Sequence, residues 1–140
     1  MEAADLDRVV AIERASFSRA WSRGQFIHEL SLPFSHCAVA YRGESSLVVG
    51  YIVWWTVADE VHLLNVAVAP SERRMGLGRS LVDSVLRAAK RSGATVVTLE
   101  VSIHNRAARS LYSGMHFVET HQRKNYYGAG DHAVVMERAL

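Results

Sequence analysis

The chain is poor in several features that mark common classes of protein. Its 140 residues include one cysteine and two prolines, and no apolar run approaches the ~20 residues of a membrane-spanning helix. Because Cys37 has no internal partner for a disulfide, the sequence favours a cytoplasmic protein over a disulfide-stabilised secreted domain. The start, Met1–Asp5, is acidic and then amphipathic, so we expect no secretion signal there.

Charge and histidine content argue against two further classes. The formal net charge of +2 is too small to indicate nucleic-acid binding. The seven histidines are scattered without i,i+4 pairs or cysteine neighbours, so no metal site is predicted. A content of 49% apolar and 21% charged residues predicts one ordinary globular domain over residues 1–140.

Apolar periodicity and turn residues predict a mixed α/β fold. Asp5 and Ser22 are expected to cap the first two helices, and Gly93 to end the third. Strands and helices alternate in an order typical of a mixed twisted sheet with helices on both faces. The predicted helices cover 5–16, 22–30, 77–92 and 105–114, and the predicted strands cover 37–41, 47–57, 60–69, 95–101, 117–127 and 132–137.

The most informative segment runs from an apolar strand through Pro70 into the turn Arg73-x-x-Gly76-x-Gly78 and then into an apolar-periodic helix. The glycines allow a tight turn and a close approach of the backbone to a ligand. The free N–H groups of the following helix favour an anion, so the segment predicts a phosphate-binding turn. It matches neither a Walker loop nor a dinucleotide fingerprint, because Arg79 follows Gly78 and Leu81 stands at the third glycine position.

Two polar side chains stand out elsewhere. Glu100 interrupts a β-branched strand, where it could be an exposed position, half of an ion pair or a catalytic base. Tyr112 lies seven residues after Asn105 on the same helix face, where it could equally be a core tyrosine. Asn105 is placed to cap that helix, and Cys37 reads as a small buried apolar residue.

Taken together, these motifs resemble the GNAT acetyltransferase superfamily, and within it the RimI group. The resemblance covers about residues 5 to 137 and rests on the following segments: Asn65-Val66-Ala67-Val68, Arg73-x-x-Gly76-x-Gly78, Asn105-x-x-Ala108-x-x-Leu111-Tyr112, Phe17-x-x-x-Trp21-Ser22 and Asn125-Tyr126-Tyr127. Gly128 stands where proline is common in the family. A strand usually precedes the first helix in this superfamily, so the resemblance implies either a fold without that edge strand or a late start of the chain.

The resemblance implies transfer of an acetyl group from acetyl-CoA to the N-terminal alanine of a small-subunit ribosomal protein, in a ternary complex and without a metal. It implies Glu100 as general base and Tyr112 as proton donor, with His62, beside Glu60, as the alternative base. Glu13, Trp21, Tyr126 and Tyr127 are the candidates for a peptide groove. Expected contacts to the cofactor are Val66, Ala67, Val68, Arg73, Arg74, Met75, Gly76, Leu77, Gly78, Arg79 and Asn105.

Two alternatives remain open from the sequence. One is an acetyltransferase for lysine side chains or small amines, and the other is a non-catalytic module that binds coenzyme A. Glu100 with Tyr112 favours an enzyme, whereas Trp21 with Tyr126 and Tyr127 favours a peptide substrate.

Overall fold

The computed structural model describes all 140 residues and contains one six-stranded sheet with four α-helices. Single 3-10 turns precede the first helix and follow the third strand. The helices are α1 (Leu6–Ser16), α2 (Arg23–Ser31), α3 (Leu77–Arg91) and α4 (Arg106–Gly114). The strands are β1 (Ser35–Tyr41), β2 (Val48–Val57), β3 (Glu60–Val68), β4 (Val96–Ser102), β5 (Val118–Gly128) and β6 (Asp131–Ala139).

The sheet is mixed, as predicted. The strand order is β1-β2-β3-β4-β6-β5, and only the central pair β3–β4 is parallel. That parallel pair is joined by α3, which crosses over one face of the sheet. The junction of β3 and β4 therefore lies in the middle of the molecule.

Helices cover both faces of the sheet, as the alternation along β2 illustrates. Tyr51 and Val53 point into a cluster with residues of α1 and α2, while Ile52 points into a larger cluster with residues of α3 and α4. Each of these three side chains is fully buried. The two clusters form the core, and the predicted fold class is confirmed.

The N-terminal caps agree with the prediction at α2 but not at α1. Ser22 accepts a hydrogen bond from the Gln25 backbone N–H at 3.2 Å and donates its own to the Gln25 side chain at 2.7 Å. The predicted role of Asp5 is wrong, because the preceding 3-10 turn gives it helical angles (φ −85°, ψ −17°) instead of the extended conformation that a cap requires. Its carboxylate instead accepts from the Glu2 N–H at 2.8 Å and the Tyr41 hydroxyl at 3.0 Å.

Within these residues no strand precedes α1. None of the helices is long and apolar enough to span a membrane. The strand order brings the C-terminal part of β3, the start of α3 and the hairpin β5–β6 around the centre of the sheet.

Candidate active site

The central strands β3 and β4 separate halfway along their length. They pair only from Glu60–Leu63 to Val96–Leu99. Beyond that point β3 stays paired with β2, and β4 stays paired with β6. The inner edges of residues 64–68 and 100–102 therefore carry no ladder between them, which leaves a cleft with strand edges available to an extended ligand.

A β-bulge marks the point of separation. Leu63 pairs with Trp54 and Asn65 with Val53, so Leu64 is the extra residue on β3. Leu63 packs in the core on the α3 side, whereas Leu64 packs against the cluster on the α1 side. Bulges re-aim side chains in this way, and here the bulge turns two successive residues, Leu64 and Asn65, towards α1.

The predicted phosphate-binding turn has free donors. The backbone N–H groups of residues 74–79 donate to no protein acceptor, and no side chain caps α3. Gly76, at φ 77°, adopts the left-handed conformation that favours glycine. A Cβ on Gly78 would lie at ordinary contact distance, 3.7 Å from Leu111 Cδ2. The free donors and the α3 dipole make this turn suited to an anion.

The arginines of the turn have different surroundings. Arg73 Nε donates to the Val68 carbonyl at 3.1 Å, and its Nη2 donates to Ser16 Oγ at 3.0 Å. Arg73 therefore braces the turn against β3 and α1. No side-chain hydrogen bond or ion pair engages Arg74 or Arg79, so their charge is available to a ligand.

Glu100 lies at the point where the strands separate, one residue after the last pair between β3 and β4. Its side chain is 30% exposed, and Arg123 Nη2 lies 3.4 Å from Glu100 Oε1. The pKa of the Tyr126 phenol is raised, first by a hydrogen bond to Glu100 and then by the charge of that carboxylate. A carboxylate therefore stands where the cleft begins, next to a tyrosine and an arginine of β5.

Tyr112 is buried against Phe117, with ring centroids 5.8 Å apart. Its hydroxyl makes no hydrogen bond within the protein. It is nevertheless open to solvent, since Arg109 Nε is the only side-chain polar atom that lacks both a hydrogen-bond partner and contact with solvent. The hydroxyl therefore reaches an open space. Burial, and secondly the nearby Tyr127, raise the pKa of Tyr112, so the phenol stays protonated at neutral pH.

Two tyrosines end strand β5 beside these groups. The rings of Tyr126 and Tyr127 are nearly perpendicular with centroids 5.0 Å apart, and the Arg123 guanidinium lies 5.6 Å from the Tyr126 centroid. Burial first, and then the Glu100 charge, raise the pKa of Tyr127 to about 12. The two tyrosines therefore lie near Glu100, and their predicted role in a peptide groove stays a prediction.

Glu13 occupies a different environment from the other groove candidates. It is 1% exposed and accepts hydrogen bonds from the Trp21 N–H at 3.0 Å, from Asn65 Nδ2 at 2.9 Å and from the Tyr51 hydroxyl. The carboxylate is enclosed, so it does not line an open groove. It holds the backbone of Trp21, which precedes α2, against β3.

Trp21 does line an open pocket. This cavity of about 440 Å³ lies between α2, β2 and the bulge of β3. Side chains along it include Trp21, Gln25, His28, Glu29, Trp55 and Leu64. The pocket therefore adjoins the cleft at Leu64.

The remaining candidates lie as follows. Asn105 caps α4, with its Oδ1 accepting from the Ala108 N–H at 3.2 Å, and its amide nitrogen is free to bind a ligand. His62 Nε2 lies 3.4 Å from Glu60 Oε2 on the part of β3 that is still paired with β4. Unlike Glu100, this pair therefore precedes the separation of the strands.

Comparison with known proteins identifies the family. The model of the "Acetyltransferase (GNAT) family" matches residues 6–117. The chain belongs to the GNAT acetyltransferase family. The predicted family resemblance is confirmed, and the matched segment contains the cleft, the turn and α4 of this GNAT domain.

Three similar proteins extend the comparison. A Bacillus subtilis protein provisionally named a ribosomal protein bS18-alanine N-acetyltransferase is 33% identical over 97% of this chain and 90% of its own length. The crystal structure of the ribosomal-protein-S18-alanine N-acetyltransferase from Escherichia coli superposes with a TM-score of 0.89 at 27% identity, covering 99% of this chain and 90% of that one. Arabidopsis thaliana NAA60, solved in complex with acetyl-CoA, shares the fold at 19% identity with a TM-score of 0.86, covering 100% of this GNAT chain and 96% of that one.

Sequence reasoning missed several residues around the cleft. Arg123, beside Glu100, lies in a polar strand without a distinguishing pattern. Glu29 had a usable signal, because its spacing from Phe26 places it on the buried face of α2. Gly128 stands out in the sequence only as a departure from the family's proline. A Cβ there, at φ 137°, would overlap the Arg19 guanidinium, so this glycine lets the segment before α2 contact the β5–β6 hairpin.

Proposed function

We propose that this chain transfers the acetyl group of acetyl-CoA to the α-amine of a protein N-terminus, namely the N-terminal alanine of a small-subunit ribosomal protein. The observation that carries the proposal is the cleft between β3 and β4, which has free backbone donors before α3 and Glu100 directly after the last strand pair. Tyr127, a neighbour of both Tyr112 and Glu100, supports including Tyr112 in the same site. The names of the Bacillus subtilis and Escherichia coli proteins support the choice of substrate.

Residues at the cleft suit the parts of the cofactor. The N–H groups of residues 74–79 would hold its pyrophosphate, with Arg74 and Arg79 adding positive charge. The free edge formed by Val66, Ala67 and Val68 would pair with its amide-containing arm, together with the Asn105 amide. The bound cofactor supplies an acetyl group already activated as a thioester, so the protein needs no nucleophile of its own.

Glu100 would accept the proton of the attacking amine. A weak base is sufficient for an α-amine, whose pKa of about 8 leaves roughly a tenth of it neutral at pH 7, compared with about a thousandth for lysine. A backbone N–H of β3 would polarise the carbonyl under attack. Tyr112 would donate a hydrogen bond to the departing thiolate. Because its pKa is raised, we expect hydrogen bonding rather than full ionisation of the phenol.

A peptide rather than a free amine fits the surroundings of Glu100. Tyr126 and Tyr127 of β5 lie near Glu100, and Trp21, just before α2, lines the pocket that adjoins the cleft at Leu64. These aromatic side chains would position the first residues of an extended chain. The contact of Arg19 with the backbone at Gly128 joins the same two segments.

The test is acetyl transfer measured on three matched substrates: a peptide with a free N-terminal alanine, the same peptide blocked at its N-terminus but carrying a lysine, and a small amine. We expect product only, or at least 100-fold faster, on the free N-terminus. Equal rates on the blocked lysine peptide would contradict the proposed substrate and support the lysine alternative. Binding of acetyl-CoA without transfer to any amine would support the non-catalytic alternative.

The base is tested separately. Glu100→Gln should lower kcat and change the acidic limb of the pH–rate profile, since it removes the titrating group but keeps its size. His62→Ala is the matched comparison on the neighbouring strand. A larger loss in His62→Ala than in Glu100→Gln would move the base to β3.

A further inference from the structure

The pocket next to the cleft combines aromatic side chains with a carboxylate, and the proposed acetyl transfer assigns no role to this combination. Two indole rings, Trp21 and Trp55, line a space of about 440 Å³ that also contains the carboxylate of Glu29. Trp21 is fixed through its backbone by Glu13, and Leu64 of the β3 bulge forms part of the same wall. An aromatic pocket with an acid in it therefore adjoins the place where the acceptor chain would lie.

Glu29 is an almost fully buried acid with a free oxygen. The residue is 6% exposed. Its Oε1 accepts from Trp55 Nε1 at 2.6 Å and from Ser35 Oγ at 3.1 Å. Its Oε2 accepts no hydrogen bond within the protein but remains accessible to solvent, so it opens into the pocket.

The charge of Glu29 is also unpaired. Both of its donors are neutral, and no lysine, arginine or histidine nitrogen lies within ion-pair distance of it. A buried carboxylate without a counter-charge is costly, because its desolvation is not offset by an opposite charge. A ligand that brings a cation to Oε2 would remove this cost, and indole faces add further affinity for a guanidinium or ammonium group.

We infer that this pocket, defined by Trp21, Glu29, Trp55 and Leu64, is a specificity site that binds a cationic side chain, arginine or lysine, of the acceptor polypeptide a short distance after its acetylated amine. The inference rests on the proposed function, because it requires a polypeptide acceptor in the cleft. It adds a determinant outside the reacting groups. Glu29 recognises the substrate here and takes no part in proton transfer.

The experiment uses the full chain with acetyl-CoA and six-residue peptides that begin with alanine and are otherwise neutral. A single arginine is placed at position 2, 3 or 4, and a glutamine peptide serves as the reference. For one of these positions we expect kcat/KM to exceed that of the reference by about tenfold or more, mainly through KM, because only the cationic peptide forms a charge-assisted hydrogen bond to the buried carboxylate.

The variant Glu29→Gln keeps an acceptor for Trp55 and Ser35 but removes the charge. It should abolish the preference for arginine and leave the rate on the glutamine peptide within about twofold, which also shows that the variant is folded. Glu44→Gln, in the exposed turn before β2, is the matched control and should retain the preference. Calorimetric binding of the same peptides in the presence of coenzyme A gives a readout that does not depend on turnover.

Arginine preference that persists in Glu29→Gln, or a wild-type protein indifferent to arginine at all three positions, would overturn the inference. Either result leaves the proposed function intact if the glutamine peptide is acetylated. Failure of the proposed function is recognised separately, as absence of acetylation on every free N-terminus.

Discussion

Replacing Glu13 with alanine should cost more stability than any other change of a single charged residue near the site. The substitution leaves the Tyr51 hydroxyl and Asn65 Nδ2 without an acceptor in positions that are 0% and 8% exposed, and it also releases the Trp21 N–H, which is only partly buried. A buried donor without a partner costs about 1–3 kcal/mol, so two such donors plus the lost packing amount to roughly 3–5 kcal/mol.

This loss is a large share of the total for a domain of this size, which is typically about 5–15 kcal/mol. It corresponds to a decrease in Tm of roughly 10–20 °C. Urea unfolding followed by circular dichroism measures the free energy of unfolding, and a thermal melt gives Tm. In the folded fraction we expect the KM for the peptide to rise while the KM for acetyl-CoA changes little, because Glu13 holds Trp21 and does not contact the turn before α3.

Two further variants make the result interpretable. Glu13→Gln keeps one acceptor oxygen and should lose less stability than the alanine variant, whereas Glu44→Ala on the surface should change the free energy of unfolding by no more than about 0.5 kcal/mol. A loss below about 1 kcal/mol in Glu13→Ala would refute the reasoning, because it would mean that the three donors find other partners.

Three other perturbations test separate parts of the structure. Gly76→Asp should abolish acetyl-CoA binding in a direct titration, because it places a negative charge among the free N–H groups. The control Gly43→Asp, at a similar positive φ in an open turn, should bind acetyl-CoA normally. Equal affinities of the two variants for acetyl-CoA would argue against the phosphate site. Tyr112→Phe should lower kcat at least tenfold with nearly unchanged affinity for acetyl-CoA, and an unchanged kcat would remove Tyr112 from the mechanism. Burial first, and then the Glu13 charge, raise the pKa of Tyr51 above its unfolded value of about 10. The neutral phenol therefore stabilises the fold fully below pH 10, and above that pH the free energy of unfolding falls by about 1.4 kcal/mol per pH unit. Tyr51→Phe should flatten the alkaline decline in unfolding free energy by that slope, and an unaltered slope would contradict the assignment.

Local signals were sufficient to predict the elements around the turn. The strand before Pro70, the glycine spacing and the periodicity of the next helix lie within a short stretch of chain, and β3 and α3 follow the prediction closely. Asp5 shows the limit of such signals: aspartate is a favoured cap residue, yet here it ends a 3-10 turn with helical backbone angles, and its carboxylate bonds to Glu2 and Tyr41 instead.

The surroundings of Glu13 and Glu29 depend on contacts between distant parts of the chain, which no local sequence pattern predicts. Glu13 was expected in a groove, but its partners Tyr51 and Asn65 lie 38 and 52 residues away, and they enclose it only once β2 and β3 are paired. Similarly, Glu29 meets Trp55 across 26 residues. The roles of Glu100 and Tyr112 stay predictions; Glu100 follows the last β3–β4 pair, and Tyr127 lies near both residues.

The short junction between β3 and β4 has a mechanical consequence. Only four ladder pairs, from Glu60–Val96 to Leu63–Leu99, join the strands of the half that carries α1 and α2 to those of the half that ends in the hairpin. The side chains of the α3-side cluster still pack across both halves, so the seam is short in backbone hydrogen bonds only. Amides on either side of the seam should therefore exchange with solvent faster than those of the β4–β6 ladder. A ligand that inserts between the free edges would act as a missing strand, so filling the cleft should slow exchange in both halves at once and couple the stability of the whole sheet to cofactor concentration.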